Sequence, residues 1–200
     1  MTTNGLDDDV LSERMRHGDR GAFATLTTRY WAAVHRIAWN MLPDQSKARE
    51  VAEETFLRAL RSPGWFPRDA AFKVSLYRLA IVLSLIQYQA ASGFRAESLL
   101  PQFDASGRLV VPEGDRSELA GRRDLAEQIR EGLDHLEGLD RAAFVLRWLE
   151  QVPLEEASAI LRTSSERIRG RAHRARILLT GFLLGLVGAA EGETRWKTIA

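Results

Sequence analysis

Six arginines lie between Arg162 and Arg176, and Glu166 is the only acid among them. Guanidinium groups do no covalent chemistry; their planar N–H forks bind phosphates and guanine edges. On a helix, at about 100° per residue, Arg167, Arg171 and Arg174 follow one border of a narrow apolar stripe formed by Ile168, Ala172, Ala175 and Leu179. Arg169 and Arg176 follow the other border, and Glu166, Gly170 and His173 point away from it. The stripe requires a neighbouring helix to cover it, and the opposite side is left for a groove, with Gly170 as a point of close approach.

A basic stripe alone fits a solvated surface better than a groove. The preceding residues distinguish the two cases. Leu154, Ala157, Ile160 and Leu161 give a short helix its own apolar face behind Pro153, and the turn between the helices falls near Arg162 to Ser164. Thr163 followed by Glu166 is the spacing of a capping box at the start of the second helix. Two short helices, a tight turn and a cationic second helix form a helix-turn-helix, whose second helix fits a major groove about 12 Å wide.

The remaining elements must hold that helix pair in place. With 45% hydrophobic and 28% charged residues in a chain of 200, the composition is that of a globular protein of one large or two small domains. The net charge of +1 conceals the local concentration of arginine, and local charge selects the partner. The absence of cysteine excludes disulfides, thiolate catalysis and cysteine-bearing zinc sites. His17, His35, His135 and His173 show no metal-ligand spacing, and no cofactor is expected. No glycine-rich phosphate loop, paired nucleophile and base, or catalytic carboxylate pair occurs, so the reading is not an enzyme. The N-terminus, MTTNGLDDDV, lacks the blocks of a secretory signal, which points to a cytoplasmic protein. The segment Ile177 to Ala190 is shorter than the roughly 20 residues of a membrane span, so it reads as a helix extension that docks on the protein or on a partner, and no membrane is expected.

Helical periodicity dominates, giving an all-α chain of two small helical domains joined by a flexible linker. Residues 10–91 form the first domain, 92–117 the linker, 118–180 the second domain and 181–200 an apolar extension and tail. In the first, Phe23, Leu26, Tyr30, Val34 and Ile37 mark one helix. Gln45 to Arg61 makes a second, with Val51, Phe56, Leu57 and Leu60 apolar, and Phe72 to Tyr88 makes a third that is apolar on nearly all sides. In the second, helical signal resumes near Glu118, passes through Ile129, Leu133 and Leu136, and continues from Ala143 to Leu149.

From Leu11 to Leu179 the chain resembles an extracytoplasmic-function sigma factor of the sigma-70 family. GDRGAFATLTTRYWAAVHRIAWNML and SKAREVAEETFLRALR are similar to the family's region 2, and LDHLEGLDRAAFVLRWLEQVPLEEASAILRTSSERIRGRAHRAR follows its promoter-reading region 4 almost from end to end. The resemblance implies that Glu50, Glu53, Glu54, Phe56 and Leu57 face the clamp helices of core RNA polymerase. It also implies that Arg169, Gly170, Arg171, His173 and Arg174, flanked by Arg167 and Arg176, meet promoter DNA at the −35 element.

The chain departs from the family at the strand-opening segment. Tyr77, Arg78 and Ala80 match the family's motif there, but Ile81, Val82 and Ile86 stand where polar or charged residues are expected, and no charge occurs from Leu79 to Phe94. Only Tyr88 and Phe94 offer stacking to a single strand. Ser75 replaces a common tryptophan, and Arg162 takes the turn position where glycine is usual, at a cost of about 1 kcal/mol if that residue is left-handed. Two other readings follow from the residues: a decoy that sequesters an anti-sigma factor through its uncharged helix, and a stand-alone helix-turn-helix regulator.

Overall fold

A computed structural model describes residues 7–61, 66, 71–92, 102–103, 109–110 and 125–197. Four helices build the first unit: α1 (Asp8–Arg16), α2 (Arg20–Met41), α3 (Gln45–Arg61) and α4 (Phe72–Ser92). The chain turns between α1 and α2 through Gly18, at φ +85, and Asp19 then caps α2 by accepting from the amides of Gly21 and Ala22 at 2.8 and 3.0 Å. Pro43 separates α2 from α3, and Asp44 takes the capping place, accepting from the Ser46 amide at 2.8 Å. The expected apolar positions Leu26, Tyr30, Val34 and Ile37 of α2 are all buried, whereas Phe23 packs at the edge.

The second unit contains α5 (Leu125–Asp134), α6 (Gly138–Phe144), α7 (Leu154–Leu161) and α8 (Ser165–Lys197). The expected plain helix from Ala143 to Leu149 is not continuous. After Phe144 the coil widens into a π-turn, Val145–Leu149, closed by the Glu150 amide on the Val145 carbonyl at 2.9 Å. The wider turn keeps Val145 and Leu146 buried and leaves Trp148 and Leu149 exposed, and Gln151, at φ 51, then redirects the chain into α7.

The two units pack against each other. One apolar cluster includes Leu26 and Ile37 of α2, Leu79 and Ile81 of α4, and Leu146, Val152, Ala157 and Ile160 of the second unit. This explains the uncharged stretch of α4. Leu79, Ala80, Ile81, Leu83 and Ser84 are buried, and an apolar side chain fully buried there contributes about 1.5–3 kcal/mol. Polar links run along the same seam. Arg36 pairs with Glu150 at 2.7 Å, Lys73 with Glu156 at 2.9 Å, and Arg130 donates to the Pro43 carbonyl at 2.7 Å. Arg141, only 1% exposed, donates to the Met41 carbonyl at 3.0 Å, pairs with Asp134 at 3.1 Å and lies 4.6 Å from the centre of the Tyr88 ring. Burial lowers the Arg141 pKa and raises that of Asp134, and their mutual attraction opposes both shifts.

A second apolar cluster gathers Leu133, Leu136, Phe144, Ala175 and Leu179, with Ile129, Leu178 and Leu183 against it. The first part of the Ile177 to Ala190 segment therefore docks on the chain itself, as an extension of α8. Within the expected linker, Ser92 ends α4 and an antiparallel pairing of Gln102–Phe103 with Leu109–Val110 is described, a four-residue exception in an otherwise helical chain. Most of residues 92–117, together with Phe94, residues 118–124 and the final three residues, lie outside the described residues. No described helix is long and apolar enough to cross a membrane.

Candidate nucleic-acid interface

The helix pair expected from the sequence is α7 and α8. Arg162 ends α7 in the left-handed region, at φ 49 and ψ 48, and the Thr163 amide returns to the Ser158 carbonyl at 3.1 Å. This closure moves the next helix start by one residue. The cap of α8 is Ser164, whose hydroxyl accepts from the Arg167 amide at 3.3 Å, and not the box of Thr163 with Glu166 that the spacing suggests. Ser158 and Ser165 add a hydroxyl contact of 2.9 Å across the turn. Ile168, Ala172, Ala175 and Leu179 are all buried, so the stripe faces inward as the periodicity requires.

The arginines on its borders divide into groups. Arg167 and Arg169 are exposed and have no acidic partner among the described residues. Arg176 lies 5.4 Å from the centre of the exposed Trp148 ring, with its Nη2 3.4 Å from His173 Nδ1. Gly170 sits between these groups, and a Cβ added there would meet nothing within 4 Å. Arg171 and Arg174 turn instead toward α6, where both donate to Asp140. Arg174 does so side-on through Nε at 2.5 Å and Nη2 at 2.7 Å, and Arg171 through Nη1 at 2.9 Å. The hydrogen bond to Asp140 raises the Arg174 pKa. Neither Asp140 nor Trp148 is singled out by the sequence. An aspartate in a polar stretch carries no mark of burial until the crossing of α6 and α8 is known.

On α3, Glu50, Glu53 and Leu57 are exposed and Glu54 is half-exposed, forming one outward face with the exposed Leu60. Each acid has a basic neighbour on the same helix: Lys47 with Glu50 at 2.9 Å, Arg49 with Glu53 at 3.0 Å and Arg58 with Glu54 at 2.6 Å. Such exposed pairs are weak and easily exchanged for an incoming cation. Phe56 does not belong to this face. At 4% exposure it lies on the inner stripe with Ala48, Ala52, Thr55 and Ala59, stacked on Trp31 at 5.8 Å between ring centres.

The segment expected to meet a single strand is covered. Tyr77 is buried, and burial followed by the nearby Glu150 carboxylate pushes its hydroxyl pKa up to about 12. Arg78 reaches across the seam to the end of α7, donating to the Ala159 carbonyl at 2.6 Å and the Ile160 carbonyl at 3.1 Å. Burial lowers its pKa, with the Arg162 charge adding in the same direction. Tyr88 is half-buried under Arg141. Among the described residues, no group of three or more His, Asp or Glu side chains is placed to hold a metal ion.

Comparison with known proteins follows the same outline. Residues 132–177 match the family description for sigma-70 region 4. The RNA polymerase sigma-H factor of Pseudomonas aeruginosa is 29% identical over 173 residues, covering 84% of this chain and 90% of that protein. The extracytoplasmic-function RNA polymerase sigma-E factor of Escherichia coli K12 is 29% identical over 176 residues, covering 86% and 91%. Among solved structures, CnrH in complex with the cytosolic domain of CnrY aligns at a TM-score of 0.65 and 24% identity, over 89% of this chain and 97% of that one. The sigma factor RpoE of Bartonella quintana, in complex with the anti-sigma factor NepR, aligns at 0.58 and 20% identity, over 80% and 96%. These two structures share the fold.

Proposed function

Because the chain belongs to the extracytoplasmic-function branch of the sigma-70 family, we propose that it directs core RNA polymerase to promoters by presenting α8 to the −35 duplex and the outer face of α3 to the polymerase. The observation that carries this reading is the outward strip of Arg167, Arg169, Gly170, His173 and Arg176 on the second helix of a helix-turn-helix whose inner stripe is fully packed. Guanidinium and imidazole donors on an exposed helix suit guanine edges and phosphates, and the open space at Gly170 lets the backbone approach the groove. Glu50, Glu53, Glu54 and Leu57 offer acidic and apolar contacts to a basic helical partner. The protein acts by binding and positioning, without catalysis of its own.

Arg78 cannot address a separated strand while it caps α7, so engagement of an opened promoter strand requires this guanidinium to leave the Ala159 and Ile160 carbonyls. The decoy reading relies on the uncharged part of α4 as an adhesive face. Among the described residues of that stretch, Leu79, Ala80, Ile81, Leu83 and Ser84 belong to the chain's own interior, and Ile86, at 55% exposure, is the one exposed large apolar side chain. An anti-sigma factor fits as a regulator of a working sigma factor, on the pattern of NepR with RpoE, better than as the sole partner.

The deciding experiment is retention of core RNA polymerase on the immobilised full chain, followed by transcription from matched duplex and pre-opened promoters. Polymerase binding with promoter-dependent transcripts is the expected result, and an Arg167→Ala, Arg169→Ala variant should bind polymerase normally while losing −35 dependence. If the chain fails to bind core polymerase, the proposal is wrong.

A further inference from the structure

The two-arginine grip on Asp140 bears on how the reading helix discriminates. Asp140 lies in the first turn of α6, and its side chain is only 3% exposed while those of Arg171 and Arg174 are 28% and 52% exposed. Its oxygens receive three guanidinium hydrogen bonds, and Glu137 stands behind as a second acid at 3.5 Å from Arg171 and 3.8 Å from Arg174. An arginine can exchange a solvated carboxylate for a DNA phosphate at little cost. Exchanging a buried carboxylate is different, because the departing arginine leaves an unpaired charge inside the protein.

We infer that Asp140 is a positioning residue that withdraws Arg171 and Arg174 from the nucleic acid, so that α8 meets a duplex with Arg167, Arg169, His173 and Arg176. The inference rests on the reading of α8 as the duplex-binding helix. Phosphate contacts attract any sequence, whereas base-edge contacts discriminate. Sequestering two guanidiniums beside the free ones lowers binding to random DNA without removing the donors that reach the bases. Asp140 thereby sets the ratio of specific to non-specific binding while touching no DNA.

The test measures, by fluorescence anisotropy at several salt concentrations, binding of the full chain to a short random-sequence duplex, alone and joined to core polymerase. Asp140→Asn keeps the side-chain shape and removes the charge. It should tighten random-duplex binding and steepen the dependence of log K on log salt by up to about 0.9 for each of the two released cations. In the parent chain, Arg171→Gln with Arg174→Gln should leave that slope unchanged, and the same pair added to Asp140→Asn should abolish the gain. A residue that merely holds the fold would not generate this pattern.

The inference is overturned if Asp140→Asn leaves the slope unchanged, or if the glutamine pair makes the parent slope shallower. Either glutamine change made alone leaves Asp140 one guanidinium partner, so the single variants decide the matter even if Asp140→Asn or the double change does not fold: a shallower slope in either one overturns the inference. Arg167→Ala with Arg169→Ala, in the same assay, tests the underlying reading. Loss of duplex binding there alongside an unchanged Asp140→Asn slope sinks the role of Asp140 alone, whereas absence of duplex binding by every form, with or without polymerase, sinks both.

Discussion

Arg36 grips Glu150 with both arms of its guanidinium, Nε at 3.0 Å and Nη2 at 2.7 Å, joining α2 to the end of the π-turn across 114 residues of sequence. Glu150 is buried at its carboxylate, with 4% side-chain exposure, whereas Arg36 remains largely in solvent. Removing the arginine therefore costs more than a surface pair would. Arg36→Glu should destabilise the chain by at least about 1–3 kcal/mol, because it leaves a buried carboxylate unpaired and sets a second carboxylate against it. The exchange variant, Arg36→Glu with Glu150→Arg, should recover part of the loss in urea unfolding. No recovery would mean that the contact does not hold the seam.

Arg162 occupies a left-handed turn with an ordinary side chain. Replacing it by glycine removes the Cβ conflict, and Arg162→Gly should raise stability by up to about 1 kcal/mol. Since Arg162 also adds a charge near Arg78, relief of that repulsion acts in the same direction. A thermal midpoint equal to or below that of the parent would contradict this account of the turn.

Two helical glycines should respond in opposite ways to the same substitution. A Cβ at Gly132 would collide with the side chains of Leu179 and Phe182, both buried beneath α5, so Gly132→Ala should cost about 1–3 kcal/mol. At Gly170 the space is open, and Gly170→Ala should leave folding intact or improve it by up to about 1 kcal/mol through helix propensity. If Gly170 serves close approach to a groove, that stabilised variant should bind promoter duplex less well. Equal effects of both substitutions in calorimetry would refute the packing argument.

Local pattern made the helices legible. The three-and-four spacing in α2, the proline and aspartate before α3 and the apolar stripe of α8 each follow from period and capping alone, and α3 spans Gln45–Arg61 as the sequence indicates. The outward cations Arg167, Arg169 and Arg176 were legible for the same reason. What could not be read depended on contacts between distant segments. Asp140 becomes a buried anchor only where α6 crosses α8, and the uncharged part of α4 becomes core where α2, α3 and the second unit's α7 meet on it. The resemblance points Phe56 outward, whereas its spacing from Ala52 and Ala59 places it on the inner stripe.

The capping aspartates give the fold a pH dependence whose sign can be worked out. The Asp19 carboxyl is held below its ordinary value of 3.8, first by the Ala22 amide and then by the Arg14 guanidinium. Asp44 is held down likewise, chiefly by the Ser46 hydroxyl and then by the Ser46 amide. A depressed carboxyl means that the folded state favours the ionised form. The stabilisation is thus complete above the unfolded-state value and disappears as pH falls through the lower, folded-state value. Asp19→Ala should accordingly show a lower thermal midpoint than the parent at neutral pH, where the cap of α2 is intact only in the parent. That gap should narrow as pH is lowered from about 4, because protonation weakens the parent's own cap. Thermal melts of the two proteins across that range provide the measurement. A gap that stays constant into strong acid would show that the Asp19 charge contributes nothing to the start of α2.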